Sequence, residues 1–313
     1  MAVSRAAIHS VDEFALGVPD LAQAEHFFSA FGLDVRREGR ALGLYTFGHP
    51  HRWGRVLGGY PRKKLLWLSF GAYAPDMPVL AQQLQAAGAR PTAAPPGADG
   101  DGLWVLSPDG TPVQVRVADK CSPSSPGPRE FAPPTGPGHP AVGRAPARSQ
   151  AGKVRPLYLS HILLFTADVD RALAFFGGGL GLALADRSGD VIAFTYTPHG
   201  SDHHLVALAK SAGPGFHHSS WCVASIDEVG VGMEQMAAAG YGEGWGVGRH
   251  VIGSNYFRYV KDPWGSFAEY SFDIDYIAPG TQWPTGDYPA EDALHLWGPA
   301  VPPDFVLNTE IDG

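Results

Sequence analysis

Cysteine is scarce in this chain of 313 residues, which contains only Cys121 and Cys222. Two cysteines can form at most one disulfide bond, so the framework of a disulfide-stapled secreted domain is excluded. Basic residues are also fewer than acidic ones, 23 against 31, and the formal net charge is -8. Since no basic stripe is present either, we expect no nucleic-acid partner.

Long apolar runs are missing as well. A membrane-spanning helix needs about 18 or more consecutive apolar residues, and no segment of the sequence approaches this length. The first residues, MAVSRAAIHSVDEF, lack the apolar core of a signal peptide. We therefore expect a soluble cytoplasmic protein with no membrane partner.

What the sequence does contain is an internal repeat. The segment DEFALGVPDLAQAEHFF (12–28) matches SHILLFTADVDRALAFF (160–176) in pattern, down to a Phe-Phe pair at the same place. Two further matches follow in the same order: LQAAGA with MAAAGY, and LSPDGTPVQVRV with VKDPWGSFAEYSF. Three ordered matches roughly 150 residues apart indicate two copies of one module.

Each copy has the pattern of a strand, a helix and several short strands, with a second helix before a final hairpin. This predicts an α+β fold of two tandem modules. We place the first module at residues 1–118 and the second at 157–279. The Pro- and Gly-rich segment 119–156 has too few apolar residues for a core and is predicted to be a linker. Residues 280–313 are predicted to form a tail that packs on the body.

The two copies differ at three positions where the second has residues suited to binding a metal. In the alignment His161 stands opposite Glu13, His218 opposite Leu66, and Glu269 opposite Gln114. Two histidines and one carboxylate suit a facial triad for non-heme Fe(II), and Mn(II) or zinc can use the same ligands. Taken singly, each of the three would be an ordinary core or surface residue. Their joint occurrence in one copy predicts a metal site in the second module.

The segment NYFRYVKDPWGSFAEYSF (255–272) reads as a hairpin centred on Trp264. In that register Tyr259 lies directly opposite Glu269, on the same face of the sheet. Tyr259 either packs as a core residue or presents its hydroxyl to a substrate. The doublet His217-His218 lies on a predicted strand, where neighbouring side chains point to opposite faces. Only one of the two is therefore expected to face the site.

These stretches resemble the two-module extradiol catechol dioxygenases of the vicinal oxygen chelate superfamily. The resemblance is clearest in LSHILLFTADVDRALAFF, HHLVALAKSAGPGFHHSSWCVASIDEVG and GRHVIGSNYFRYVKDPWGSFAEY. It spans nearly the whole chain and is weakest in the first module and the linker. It implies tandem βαβββ modules that form two barrel-like domains, with the active site in the C-terminal one.

The resemblance also implies site residues, a cofactor and a reaction. His161, His218 and Glu269 would hold Fe(II), with Mn(II) as an alternative. His204 would be the acid/base histidine, and His250 and Tyr259 would hydrogen-bond the substrate. The reaction would be ring cleavage of a catechol by O2 beside its two hydroxyl groups, and we expect a homo-oligomer.

The residues alone leave other interpretations open. His203-His204 could be a surface pair, and His250 could face solvent. The same fold also serves hydroxylases, isomerases and lyases, and non-catalytic proteins that bind small aromatic molecules. No arginine follows Arg258 in the sequence, which favours a neutral catechol over a carboxylated one, although Arg249 stands beside His250.

Overall fold

The computed structural model describes residues 5–129 and 147–311, so the middle of the predicted linker lies outside the described residues. Each half of the chain forms one eight-stranded mixed sheet. The strands of the first sheet are β1 (Ser10–Val18), β2 (Asp34–Glu38), β3 (Ala41–Tyr45), β4 (Gly54–Gly58), β5 (Lys64–Ala72), β6 (Arg90–Pro91), β7 (Leu103–Leu106) and β8 (Pro112–Val117).

The second sheet repeats this arrangement. Its strands are β9 (Tyr158–Thr166), β10 (Ala183–Ser188), β11 (Ile192–Tyr196), β13 (Val206–Lys210), β14 (Gly215–Cys222), β15 (Gly244–Arg249), β16 (Tyr256–Lys261) and β17 (Phe267–Phe272). A separate short pair joins β12 (Ser201–Asp202) to β18 (Tyr276–Ile277).

The strand orders show that the two halves have the same topology. The first sheet runs β2-β3-β4-β1-β5-β8-β7-β6 and the second runs β10-β11-β13-β9-β14-β17-β16-β15. In each, two βαβββ units join through an antiparallel central pair, β1 with β5 and β9 with β14. The end strands of each sheet are not paired with each other, so among the described residues the sheets curl without closing into barrels. The predicted α+β tandem fold is confirmed.

The helices follow the sequence signals of the repeat. They are α1 (Leu21–Phe31), α2 (Met77–Ala86), α3 (Val169–Leu173), which continues as a π-helical turn over Ala174–Gly179, α4 (Ile226–Ala238) and α5 (Ala290–Ala293). Asp20 caps α1 by accepting hydrogen bonds from two backbone N–H groups of the first turn, and Asp168 caps α3 by accepting one. None of the described helices is long and apolar enough to cross a membrane.

The two modules share one hydrophobic core. The ring of Phe31, at the end of α1, stacks on that of Tyr270 in β17, with centroids 4.0 Å apart. The hydroxyl of Tyr270 donates to the carbonyl of Phe31 at 2.8 Å. Helix α1 also contacts α4 of the second module. Strand β17, which also carries the predicted ligand Glu269, is therefore held by the first module through Tyr270. The exact module boundaries, 1–118, 119–156, 157–279 and 280–313, stay predictions.

Candidate metal centre

Three neighbouring strands of the second sheet bring the predicted ligands together. His161 lies on β9, His218 on β14 and Glu269 on β17, and these strands are adjacent in the order β9-β14-β17. The Nε2 atoms of the two histidines are 3.3 Å apart, and each lies 3.4 Å from Oε2 of Glu269. The three side chains are almost fully buried, with exposed fractions of 3%, 2% and 0%.

The three atoms form a nearly equilateral triangle that fits a metal ion. Oε2 of Glu269 has no hydrogen-bond partner among the described residues, although it is fully buried. A buried carboxylate oxygen without a partner is costly unless a cation neutralises it. Ligand atoms about 2.1 Å from one metal ion lie about 3 Å from each other. The donor set and its spacing therefore suit a first-row divalent ion.

Burial sets the charge states of these groups. It lowers the pKa of the imidazoles of His161 and His218, which stay neutral at pH 7. Burial also works against ionisation of Glu269, but the two neighbouring imidazoles outweigh it and hold the pKa of the carboxyl far below its usual value. Neutral imidazole and ionised carboxylate are the forms that bind metals.

The remaining predicted site residues surround this triangle. The ring of His204 lies 4.0 Å from that of His161, centroid to centroid. Nε2 of His250 lies 2.9 Å from the hydroxyl of Tyr259, and its Nδ1 lies 2.6 Å from the carbonyl of Leu294. Tyr259 pairs with Glu269 across β16 and β17, which is the register expected from a turn centred on Trp264. All six residues thus occupy one buried site.

Comparison with known proteins identifies the family of this chain. Residues 158–270 match the model of the glyoxalase/bleomycin resistance protein/dioxygenase superfamily. Metapyrocatechase 2 of Cupriavidus necator is 53% identical over 307 residues, which is 98% of this chain and 94% of that protein. The chain belongs to the extradiol dioxygenases of this superfamily. The resemblance inferred from the sequence motifs is confirmed.

More distant matches share part of the sequence or the fold. The 3-methylcatechol 2,3-dioxygenase of Pseudomonas putida is 30% identical over 147 residues, or 45% of this chain and 48% of that protein. The Mn(II)-bound glyoxalase from Novosphingobium aromaticivorans superposes with a TM-score of 0.74 at 22% identity, covering 96% of this chain and 94% of that one. For 2,2',3-trihydroxybiphenyl 1,2-dioxygenase from Sphingomonas wittichii the TM-score is 0.70 at 21% identity, with coverage of 95% and 100%. At such low identity the structures show the shared fold alone.

In this extradiol dioxygenase the structure rejects the alternative interpretations of three histidines. The alternative that His203-His204 is a surface pair is wrong, because the two residues are only 0% and 3% exposed. Both follow directly on strand β12. His250 does not face solvent either, since its side chain is 12% exposed and both ring nitrogens are hydrogen-bonded.

The structure adds contacts that the sequence did not predict. Nδ2 of Asn255 lies 3.1 Å from Oε1 of Glu269, and donates to it. Nδ1 of His161 lies 3.3 Å from Oγ of Ser160, whose hydroxyl donates to Asp202 at 2.6 Å. Such outer partners orient metal ligands and select their tautomers. Ser160 stands beside a predicted ligand in the sequence, but no signal there identified Asn255 or Asp202 as partners.

Among its described residues the first module has no equivalent site, and the structure corrects one residue of the alignment. The ladders β5·β8 and β14·β17 place Trp67, not Leu66, at the position of His218, because the stretch from this strand to the LQAAGA/MAAAGY match is one residue longer in the second module than in the first. The indole of Trp67 donates to Glu13 at 3.2 Å. Arg52 and Arg55 also bind Glu13, at 2.6 and 3.3 Å. Guanidinium groups thus neutralise the carboxylate that corresponds to His161.

A second group of ligand-type residues, Asp12, His51 and Cys121, lies where the first module meets the start of the predicted linker. Nε2 of His51 donates to the carbonyl of Asp12 at 2.8 Å, and the thiol of Cys121 donates to the carbonyl of Val11 at 3.4 Å. Burial raises the pKa of this thiol to about 12. Both donor atoms therefore carry protons that backbone carbonyls accept, and we assign no metal to this group.

Asp202 predicts a measurable pH dependence of stability. Burial raises the pKa of its carboxyl to about 7, although the hydroxyl of Ser160 partly offsets this. A folded-state pKa above the unfolded one means that stability is full in acid and decreases as the pH rises towards 7. The loss is up to about 4 kcal/mol. Chemical unfolding of the metal-free protein between pH 4 and 8 should show this decrease, and Asp202→Asn should remove most of it. An unchanged pH profile in the variant would contradict the assignment.

Proposed function

We propose that this protein cleaves a catechol with O2 beside its two hydroxyl groups, at a mononuclear Fe(II) held by His161, His218 and Glu269. The product would be a 2-hydroxymuconic semialdehyde-type compound of aromatic degradation. The main support is the convergence of this trio with His204, His250 and Tyr259 in one buried site. Near full-length similarity to metapyrocatechase 2 agrees with it.

The proposed ligand set suits chemistry with oxygen. Two neutral imidazoles and one carboxylate would hold the ion, and such a set, with open positions on the metal, is typical of Fe(II) sites that activate oxygen. Bound Fe(II) would supply a common anchor for the catechol oxygens and O2, and would pass electron density between them. Mn(II) could replace it, because the same ligands suit both ions.

The other side chains would handle protons and hold the ring. His204 would accept a proton from the catechol and return it later to the reduced oxygen. A placed acid/base side chain is typically worth about 10²–10⁴-fold in rate. Tyr259 donates its hydroxyl hydrogen to Nε2 of His250, whose Nδ1–H is fixed by Leu294. This pair would orient the catechol oxygens.

A neutral catechol is the proposed substrate. A carboxylated ring would call for a free arginine in the site. The guanidinium of Arg249 is already bound to the carbonyl of Ser254 at 3.0 Å and the hydroxyl of Tyr256 at 2.7 Å, and it lies 3.7 Å from Asp273. Arg258 donates to the carbonyls of Gly242 and Gly246. Both are therefore engaged within the protein.

The decisive experiment is a ring-cleavage assay. The protein is loaded anaerobically with Fe(II), and catechol, 3-methylcatechol, 2,3-dihydroxybiphenyl and protocatechuate are added in air. We expect yellow product from the neutral catechols and little from protocatechuate. Loading with Mn(II) in parallel identifies the preferred ion. Absence of product from every catechol, despite bound iron, would reject the proposal and favour another superfamily reaction or simple binding of aromatic molecules.

We also propose that the protein acts in the cytoplasm as a homo-oligomer. In the described structure both cysteines are free thiols, which suits a reducing compartment. Large apolar side chains of the tail remain exposed, and a second copy of the chain could cover them: Leu296, Trp297, Val306 and Leu307. Light scattering should give a mass that is a multiple of 33.3 kDa.

A further inference from the structure

Two histidine doublets in the second module have the same internal geometry. In His203-His204 the two Nδ1 atoms are 3.1 Å apart, and in His217-His218 they are 2.6 Å apart. The first histidine of each doublet is also tied at its other nitrogen. Nε2 of His203 lies 2.7 Å from a carboxylate oxygen of Asp186, and Nε2 of His217 lies 2.7 Å from the carbonyl of Phe305.

These contacts determine where the protons sit in each doublet. A carbonyl or carboxylate oxygen only accepts, so the Nε2 atom that faces it must carry a hydrogen. A neutral imidazole then has a lone pair at Nδ1. The second histidine must therefore donate from its own Nδ1, which leaves its Nε2 without a hydrogen. His218 thus donates to His217, which donates to the carbonyl of Phe305. His204 likewise donates to His203, which donates to Asp186. We call each of these two chains of hydrogen bonds a relay.

We propose that His203 and His217 are positioning residues that set the tautomers of His204 and His218. The tautomers follow from the contacts, whereas their roles in metal binding and proton transfer rest on the proposed function. The unprotonated Nε2 of His218 is the atom that faces Glu269 and would bind the metal. The unprotonated Nε2 of His204 is ready to accept a proton from a catechol hydroxyl. One type of relay thus serves metal binding in one doublet and proton transfer in the other.

The C-terminal tail supplies the outer end of one relay and holds the outer end of the other. Phe305 belongs to it, and its ring packs against those of His217 and Tyr259 at 4.8 Å. The carboxylate of Asp186 is held by the backbone N–H of Gly286 at 2.6 Å and the indole of Trp283 at 3.1 Å. The tail therefore completes the hydrogen-bonding of the site although it contributes no predicted ligand.

Two substitutions at each positioning residue separate a relay from simple packing. In His217→Asn the side-chain oxygen can still accept from Nδ1 of His218, whereas in His217→Leu nothing can. We expect His217→Leu to weaken Zn(II) and Co(II) binding by about 10–100-fold in chelator competition, and His217→Asn to stay within about threefold of the parent. Equal weakening in the two variants, with both folded by circular dichroism, would overturn the proposal for this doublet.

Substitutions in the His203-His204 doublet should change kcat and not the metal affinity. We expect His203→Leu to lower kcat by about 10–100-fold with metal affinity and catechol KM nearly unchanged, and His203→Asn to restore most of kcat. A loss of metal in His203→Leu, or no rescue by asparagine, would show a merely structural role.

A direct measurement on the parent protein needs none of these variants. Long-range ¹H–¹⁵N spectra of the full chain, labelled in histidine, report which ring nitrogen carries the hydrogen, before and after loading with Zn(II). We expect hydrogen on Nδ1 of His204 and of His218. Hydrogen on Nε2 of His204, or of His218 before loading, would overturn the proposal. This measurement requires no turnover. A failure of ring cleavage with every catechol would therefore reject the proposed function, whereas the spectra alone would decide whether the two relays exist.

Discussion

Replacement of His218 by alanine is expected to abolish iron binding. The substitution removes one of the three proposed ligand atoms, which lie within 3.4 Å of each other, and leaves the buried Glu269 beside only one imidazole of the trio. We expect well under about 0.1 iron per chain after anaerobic loading and desalting, because a site with two protein ligands holds a divalent ion weakly. Elemental analysis of the desalted protein measures this, and ring-cleavage activity should vanish with the metal.

His49 provides a matched control. It is an exposed histidine of the first module, so His49→Ala should keep one iron per chain and full activity. His217→Ala should still take up iron when the ion is in excess, because it removes a neighbour and not a ligand. Retention of stoichiometric iron by His218→Ala, together with its loss from His217→Ala, would show that the ligand assignment within the doublet is wrong.

Replacement of His204 by glutamine is expected to slow turnover without loss of iron. His204 is buried beside His161, and its Nδ1 is hydrogen-bonded to Nδ1 of His203. It therefore lies at the site, but it does not belong to the trio of His161, His218 and Glu269. Loss of a placed acid/base group costs about 10²–10⁴-fold in rate. We expect kcat to decrease by that factor while iron content and catechol KM change little.

Steady-state kinetics and elemental analysis of the same preparation test this directly. His199→Gln is the control, because His199 lies at the contact with the first module and bonds to the carbonyl of Ala7 at 3.1 Å. It should keep the parental kcat. Full activity in His204→Gln would contradict the acid/base role of His204. Loss of iron from this variant would show that His204 is a ligand.

Much of the site was predictable from the sequence because repeats and strands obey simple rules. The internal repeat defined two modules, and the differences between the copies singled out His161, His218 and Glu269. The pairing of Tyr259 with Glu269 followed from a turn centred on Trp264, since a two-strand ladder without bulges keeps a constant sum of residue numbers. Resemblance to a known family then added His204 and His250.

Tertiary structure alone decided the rest. The strand ladders place Trp67 at the position of His218, where an alignment counted along the chain had placed Leu66, because the two modules differ by one residue in the length of the stretch before the LQAAGA/MAAAGY match. The carbonyls of Leu294 and Phe305 that orient His250 and His217 carry no side-chain signal, because every residue has a carbonyl and only folding brings these two to the site. Local patterns in the sequence thus determined which side chains share a face of a strand. Bulges, burial and the path of the tail decided which groups from distant parts of the chain meet those side chains.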